Sequence, residues 1–584
     1  MSIGLAVAAA ALAASQTVYW MPWTPPSRTE FRIDTTLPTG AADWSAPDAR
    51  WTGGEYRRWV DRACIAWNRQ GVSSKTCRAY GNAAVGPAYW TFNLVDEAHM
   101  RSHFSTGSLG AALCWGNPAT ECDFFVSTGV GFGTYSTTSG SARIRYDIGG
   151  ATGSMRPGAP NRADLYTTTL HEIGHNLGLA HPGEGAPPNH DPFGPIICDP
   201  SIRDCPVMTQ TSSSSSIAAR VSYWPNLFDA ESFRSRWGSS NSVQVSTWAV
   251  DSLGNVIQDL PWTGLGVTSK VPPRIGCRPG GGSGTASCLM TTNSGPGSSP
   301  RFRTLNVTGG AVTLGTTRSS SLWSEGPVDV AFGESDRFMA VGKRAADRSN
   351  QGQVVIYSGS VSGGAITRVV AGTGGIPSAL NTHTEPRIAY SETRNMFVAT
   401  HPDTAGFIRV STWDLNANFL AQFNPFTSGT PEMSLWPVDI ACDNHRVSTS
   451  YVCRLYFNNH SEESFSQASF VKTGLLWLLN SSGGMFWFGG TYTSHLAPMV
   501  SDATTYGRNA SLFTTDAYFV TTDRFVSNSS SFEARMFMDT DGAMDPANID
   551  NGTFDTPSGW SNVTSWDWNE TIQRFVVVRL ADGF

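Results

Sequence analysis

A repeated strand-opening pattern in the second half of the chain constrains the fold more than any other feature. A proline followed by a short strand-like segment recurs five times, at intervals of 54, 59, 51 and 61 residues. Each opening is followed by a turn and further strand-like runs, and repeats of this length are typical of propeller blades. The five openings are Pro273–Ile275, Pro327–Val330, Pro386–Ala389, Pro437–Ile440 and Pro498–Val500.

The two ends of this region carry complementary parts of one further repeat. Val245–Trp248 repeats the sequence of Val410–Trp413, but no opening strands precede it. Near the C-terminus, Asn562–Trp566 and Arg574–Val578 read as opening strands with nothing after them. Pairing the two ends would close a ring and remove the exposed sheet edges. We therefore predict a six-bladed β-propeller over residues 238–584, with a tandem of β-sandwiches as the alternative.

The cysteines predict export to an oxidising compartment. The chain has ten, in five close pairs with separations of 13, 8, 7, 11 and 11 residues, and none forms a Cys-x-x-Cys motif. We predict five local disulfides, which persist outside the cytosol. The pairs are Cys64 with Cys77, Cys114 with Cys122, Cys198 with Cys205, Cys277 with Cys288, and Cys442 with Cys453.

The N-terminus points in the same direction. Residues 1–14 form a short Ala-rich apolar run that resembles a secretory signal peptide, and residues 15–29 read as a linker. We predict a secreted, cell-surface or periplasmic protein. Beyond this run no apolar stretch of about 20 residues occurs, so we expect no integral membrane protein. The net charge of −7 disfavours a nucleic-acid partner.

One short segment carries the residues of a metal site. His171 and His175 are four residues apart, so a helix would place both imidazoles on one face. Gly178 allows the helix to end in a sharp turn, which would bring His181 round as a third ligand. Three imidazoles leave a zinc position open for water, and Glu172 is placed to take a proton from it. We predict a catalytic zinc ion at this site.

This segment resembles the extended zinc signature of the metzincin metallopeptidases. Met208, in Pro206–Met208, matches the Met-turn that lies beneath the metal in that family. The resemblance implies an α+β zinc peptidase domain over residues 30–235, with a five-stranded mixed sheet and three helices. The predicted fold is therefore multidomain: this α+β domain followed by the all-β propeller. The implied function is a secreted zinc metalloendopeptidase that cleaves a protein or peptide substrate, with Glu172 as general base.

Other functions and ligands stay open from the sequence. In one alternative, a surface recognition or adhesion protein, the propeller binds a glycan or protein and the metal domain is mainly structural. A glycan-processing enzyme centred on the propeller is another. The acidic segment Asp539–Asp545 resembles a calcium loop, although it departs from the EF-hand spacing and lacks the final Glu, so calcium is a second candidate ion. His99 and His103 are also four apart, but no acid lies between them, which favours an exposed helix face.

Overall fold

The structure is a computed structural model in which most of the described residues lie in strands. It describes the elements bounded below and parts of a helix between residues 60 and 68. It also describes connecting residues within 21–25, 70–75, 177–181, 207–208, 224–225, 270–273, 278, 293–300, 320–328, 333–336, 363–364, 382–386, 392–395, 403–407, 415–418, 424–425, 437–438, 571–573 and 581.

The first part of the chain combines short strands with two helices whose full bounds are described. The helices are α1 (Leu165–Asn176) and α2 (Leu227–Trp237). The strands are β1 (Arg28–Ile33), β2 (Thr76–Asn82), β3 (Trp90–Val95), β4 (Gly110–Trp115), β5 (Glu121–Ser127), β6 (Phe132–Gly133), β7 (Tyr135–Thr138), β8 (Ser141–Ile144) and β9 (Ala163–Asp164).

Strands β1 to β5 form one mixed sheet in the order β2-β1-β3-β5-β4. The pairs β1–β2, β1–β3 and β3–β5 are parallel, and β4 alone runs antiparallel, at one edge. α1 packs against β4 and β5, so the sheet supports the helix that carries the predicted metal ligands. Strands β6 and β9 form a parallel pair, and β7 and β8 an antiparallel pair.

From residue 241 onwards the described elements are all strands. They are β10 (Asn241–Val250), β11 (Val256–Ser269), β12 (Arg274–Cys277), β13 (Ala286–Thr292), β14 (Arg301–Thr308), β15 (Ala311–Ser319), β16 (Asp329–Phe332), β17 (Arg337–Ala345), β18 (Gly352–Ser362), β19 (Ala365–Gly372), β20 (Arg387–Ser391), β21 (Met396–Pro402), β22 (Ile408–Asp414), β23 (Phe419–Phe423), β24 (Asp439–Cys442), β25 (Val452–Phe457), β26 (Val471–Leu478), β27 (Met485–Trp487), β28 (Tyr492–Ser494), β29 (Met499–Tyr506), β30 (Ala517–Phe525), β31 (Phe532–Asp539), β32 (Thr553–Phe554), β33 (Ser565–Asn569) and β34 (Arg574–Leu580).

These strands form six antiparallel sheets arranged in a ring. Five sheets are consecutive in sequence and begin with β12, β16, β20, β24 and β29. The sixth, which we call the closing blade, has the order β11-β10-β34-β33 and joins strands from both ends of the region. The opening strand of each blade contacts that of the next, from β12 round to β33 and back to β12. The described sheets therefore form a six-bladed propeller, closed in the way that the split repeat predicts.

Side chains accept hydrogen bonds from backbone amides on the unpaired edges of opening strands. Because one edge of each opening strand has no neighbouring strand, its amides need other acceptors. Asp329 accepts from the amide of Ile388 at 2.8 Å, across one blade boundary. Ser565 accepts from the amide of Ile275 at 3.1 Å, across the boundary between the closing blade and the first. The blades are thus joined by hydrogen bonds as well as by apolar packing.

A buried ion cluster links three blades at the same end of the opening strands. Glu385 lies 3.2 Å from Arg274 and 3.5 Å from Arg387, measured from Oε2 to the nearest guanidinium nitrogen. The side chains of the two arginines are 0% and 1% exposed, and that of Glu385 is 8% exposed. Asp329 lies 4.0 Å from Arg387 and adds a second carboxylate. Glu385 therefore offsets the charge of two buried arginines from different blades.

Three disulfides join residues near in sequence. Cys64 is bonded to Cys77, which ties the helix around residues 60–68 to β2. The other two are Cys277–Cys288 and Cys442–Cys453, and each joins directly opposed residues of the first two strands of a blade. Cys114 is also disulfide-bonded, and Cys122, its predicted partner, lies directly opposite it in the β4–β5 strand pair. The predicted pair Cys198 and Cys205 lies outside the described residues.

The predicted fold class is wrong in its first half. The five-stranded mixed sheet is present, but the described part of the chain is predominantly strand, and its helices are short. The structure is therefore better described as mostly β than as an α+β domain followed by a β domain. The helix predicted for His171 and His175 is present as α1, but one short helix does not determine a fold class. The domain boundaries remain a prediction.

We expect Glu385→Ala to destabilise the propeller by about 3 kcal/mol, because it leaves two buried guanidinium groups without their shared carboxylate. Urea unfolding followed by tryptophan fluorescence measures this loss. Glu334→Ala is the matched control, since Glu334 is exposed on the same propeller and should change stability by less than about 0.5 kcal/mol. Equal stability of the two variants would contradict the role assigned to the ion cluster.

Candidate metal centre

Helix α1 carries two of the three predicted ligands and the predicted base. His171 and His175 lie one helical turn apart, and their imidazole centroids are 4.7 Å apart. Glu172 and His175 are 4% and 5% exposed. The opposite side of the helix buries Leu170 and Ile173, which fixes the rotation of the helix about its axis. The packing of α1 therefore determines where both imidazoles point.

The turn after α1 brings the third histidine back to the first two. Gly178 has a φ of 90°, which an L-residue with a side chain rarely adopts. The amide of Gly178 donates to the carbonyl of His175 at 2.8 Å, and that of Leu179 donates to Gly174 at 3.0 Å. These two bonds form a Schellman motif, which ends the helix and reverses the chain. His181 follows three residues later.

The three imidazoles converge on one point. Nε2 of His181 lies 3.1 Å from Nε2 of His171 and 3.1 Å from Nε2 of His175. Three nitrogens that bind one zinc ion at about 2.0–2.1 Å in tetrahedral geometry are about 3.4 Å apart. The observed spacing is close to that value. Among the described residues, His171, His175 and His181 form the one group of three or more His, Cys, Asp or Glu side chains that could hold a metal ion.

Hydrogen bonds to backbone carbonyls leave two of these nitrogens ready to bind a cation. Nδ1–H of His171 donates to the carbonyl of Val207 at 2.7 Å, and Nδ1–H of His175 donates to that of Leu179 at 2.8 Å. Since a carbonyl can only accept, each Nδ1 carries the proton and each Nε2 presents a lone pair. Burial, followed by the nearby His181, lowers the pKa of His171 to about 3. Burial also lowers the pKa of His175 well below its usual value, with smaller contributions from His171 and His181.

Glu172 is buried beside these ligands. Burial raises the pKa of its carboxyl group to about 8. Its Oε2 atom has no hydrogen-bond partner among the described residues. A buried carboxylate oxygen without a partner is costly, and a nearby cation or a polar ligand would offset that cost. Glu172 and the imidazole lone pairs together fit a divalent metal ion, and neutral imidazoles are ligands that zinc prefers.

Met208 lies directly beneath α1, completely buried. A Cβ atom on Gly174 would overlap its Sδ atom and would lie 2.9 Å from Cζ2 of Trp67. Only glycine at position 174 therefore allows this contact. Trp67 is fully buried, donates from Nε1 to the carbonyl of Leu170 at 2.9 Å, and so fixes the other side of the same contact.

Asp229 in the first turn of α2 holds this methionine in place. Its carboxylate accepts from the amide of Val207 at 2.7 Å and from that of Met208 at 3.2 Å. Asp229 is fully buried, so both bonds are shielded from water. Because the carbonyl of Val207 accepts the Nδ1–H bond of His171, Asp229 indirectly orients a ligand. Sequence analysis missed Asp229 and Gly174. A glycine inside a helical pattern, which costs about 1 kcal/mol relative to alanine, was the available signal for Gly174.

The structure brings together His171, Glu172, His175, Gly178, His181 and Met208. Of the weaker candidates, His99 and His103 lie outside the described residues, as does most of the calcium-loop candidate Asp539–Asp545. Among the described residues, no helix is long and apolar enough to cross a bilayer.

The sequence matches no protein-family model, and no curated protein matches it significantly. Solved structures that it resembles include the NanB sialidase from Streptococcus pneumoniae, at 10% identity and a TM-score of 0.29, over 50% of this chain and 40% of that one. TolB from Acinetobacter baumannii matches at 8% identity and a TM-score of 0.27, over 96% of this chain and 95% of that one. The GH43_1 enzyme from Xanthomonas citri, in a complex with xylose, matches at 10% identity and a TM-score of 0.28, over 53% of this chain and 86% of that one.

These findings correct the family prediction. No family model matches the sequence, so none supports a metzincin, and the described part of the chain is mostly strand rather than α+β. The predicted metalloendopeptidase activity and protease class depended on that resemblance and are wrong with it. The adhesion alternative gains no support either. The physical reason is that the segment 171–181 sets the position of three donors, whereas the fold and substrate depend on residues outside it.

We expect Gly174→Ala to destabilise the protein by about 1–3 kcal/mol, because the added methyl group overlaps Met208 and Trp67. This loss opposes the gain of about 1 kcal/mol that alanine normally brings to a helix. Chemical unfolding measures the difference. Gly264→Ala is the control, since nothing lies within 4 Å of an added Cβ there. A stabilised Gly174→Ala protein would show that Met208 does not pack as described.

Proposed function

We propose that this protein is an exported zinc protein whose His171, His175 and His181 bind one catalytic zinc ion. The observation that carries the proposal is the 3.1 Å spacing of the Nε2 atoms, with two of the Nδ1–H groups bound to carbonyls. Three protein ligands and an open position are typical of catalytic zinc sites, whereas structural sites use four.

Zinc bound in this way supplies Lewis acidity and lowers the pKa of a water molecule towards about 7. The chain's own contribution is to orient the ligands and to accept the proton. Glu172 is the residue we assign to proton transfer, because it is buried next to His171 and its Oε2 has no partner among the described residues. Val207 and Leu179 hold the two helix histidines in the tautomer that binds metal.

Export is supported by the disulfides, which persist in oxidising compartments. We assign the protein to the secreted, cell-surface or periplasmic proteins, with residues 1–14 as its signal peptide. Calcium stays a second candidate ion at Asp539–Asp545. The propeller is assigned to ligand binding, with a glycan or a protein as the ligand.

Purified protein is expected to contain one zinc ion per chain, measured by elemental analysis, and His181→Ala should lose it. His99→Ala is the matched control, because it removes a histidine from the other pair spaced four apart. If wild type and His181→Ala hold equal amounts of zinc, the assigned ligand set is wrong.

Glu172→Gln should retain the zinc but lose most hydrolysis of a small activated ester such as p-nitrophenyl acetate. A side-chain amide keeps the size of the residue but cannot accept the proton, and general base catalysis contributes typically about 10²–10⁴-fold. Unchanged chelator-sensitive turnover in Glu172→Gln would exclude the assigned role.

For the propeller, binding on a glycan array that survives removal of zinc by a chelator is the expected result. Because the propeller strands contain none of the three zinc ligands, their binding surface should not depend on the metal. Binding lost together with the zinc would assign recognition to the metal centre instead.

A further inference from the structure

His181 lies outside α1, so helix geometry does not fix its position as it does for the other two predicted zinc ligands. His171 and His175 are fixed relative to each other by helix geometry. His181 follows the helix by five residues and depends on the conformation of the turn 177–181. The carbonyls at the end of a helix have no partners within it, so such a turn needs external donors.

Residues 21–25 supply two of these donors. The amide of Met21 donates to the carbonyl of Gly178 at 2.9 Å. The indole Nε1 of Trp23 donates to the carbonyl of His175 at 3.2 Å. The first bond lies within the turn that carries His181, and the second holds the backbone of a ligand. A segment more than 150 residues earlier in the chain is thus bonded to the last turn of α1 and to the start of the turn that follows it.

Arg236, at the end of α2, joins this segment to the turn. Its Nη1 donates to the carbonyls of Gly178 and Met21, both at 2.6 Å, and its Nη2 donates to that of Trp23 at 2.7 Å. A planar guanidinium group can direct several bonds at fixed angles, which an ammonium group cannot reproduce. The guanidinium of Arg236 therefore fixes the distance between the segment and the turn.

Contacts made by Lys75 and Trp237 complete the arrangement. Nζ of Lys75 donates to the carbonyl of Pro25 at 2.5 Å. Both cations lie over the ring of Trp237, at 4.9 Å for Lys75 and 4.3 Å for Arg236. Nε1 of Trp237 donates to the carbonyl of Leu177 at 2.9 Å. The carbonyls of Leu177 and Gly178 are thus both bound from outside the helix.

We propose that residues 21–25 form a strap, held by Arg236 and Lys75, that positions His181 for the metal. Arg236 is a positioning residue: it acts through the carbonyl of Gly178 and does not touch the reacting atoms. The proposal rests on the proposed zinc centre. It predicts that the strap sets metal affinity, because groups that orient metal ligands typically affect affinity about 10–100-fold.

The test compares Zn²⁺ affinity in full-length variants by competition with a chromophoric chelator. Arg236→Gln should weaken Zn²⁺ binding by about 10-fold or more, and Arg236→Lys should restore only part of it. Co²⁺ substituted for zinc gives a second readout, since its visible absorption reports ligand geometry and should change in Arg236→Gln. Arg409→Gln is the matched control: Arg409 binds Asp403 at 2.7 Å in the propeller, and its loss should leave Zn²⁺ affinity and the Co²⁺ spectrum unchanged.

Trp23→Phe covers the case in which Arg236→Gln does not fold. It removes only the bond to the carbonyl of His175 and keeps the ring, and it should weaken Zn²⁺ binding measurably. Wild-type affinity in folded Arg236→Gln, or in Trp23→Phe, would overturn the strap while leaving the zinc centre intact. A wild-type protein with no more zinc than His181→Ala would instead overturn the zinc centre itself.

Discussion

Three imidazoles that face one another at about 3 Å are the arrangement on which the rest of the first part depends. Rings brought this close together must be held in place by the rest of the protein. Bonds from Nδ1 to the carbonyls of Val207 and Leu179 do this for His171 and His175. Those two carbonyls are in turn fixed by Asp229 and by the Schellman turn. The geometry of the three-histidine cluster thus depends on backbone hydrogen bonds that orient the rings.

The residues that hold this cluster in place come from distant parts of the chain. Trp67 belongs to a helix stapled by the Cys64–Cys77 disulfide, and Asp229 belongs to α2. Both act on the short stretch around Met208. A ligand cluster within eleven residues of sequence therefore needs elements spread over more than 200 residues to become a preorganised site.

The sequence predicted the parts of the structure that depend on local spacing. The face shared by His171 and His175 follows from helix geometry, and the positive φ of Gly178 follows from the need to end that helix. The number of blades follows from the sequence repeat, because five openings and one split repeat can be counted directly. Residues whose role comes from tertiary proximity, such as Asp229, Arg236 and Glu385, gave no signal in one sequence. The family prediction failed for a related reason: it extended a local motif to a whole domain and its substrate.

The closing blade has a consequence for how the protein is made. Its strands β10 and β34 pair residues 335 positions apart, as in the bond between Gln244 and Arg579. During synthesis β10 leaves the ribosome long before its partner exists, while the five intervening blades emerge in order. Until β34 has been made, one edge of β10 stays exposed and able to pair with other chains. Pairing of β34 with β10 therefore converts an open, aggregation-prone series of sheets into a ring, and a chain truncated before β34 would lack this closure.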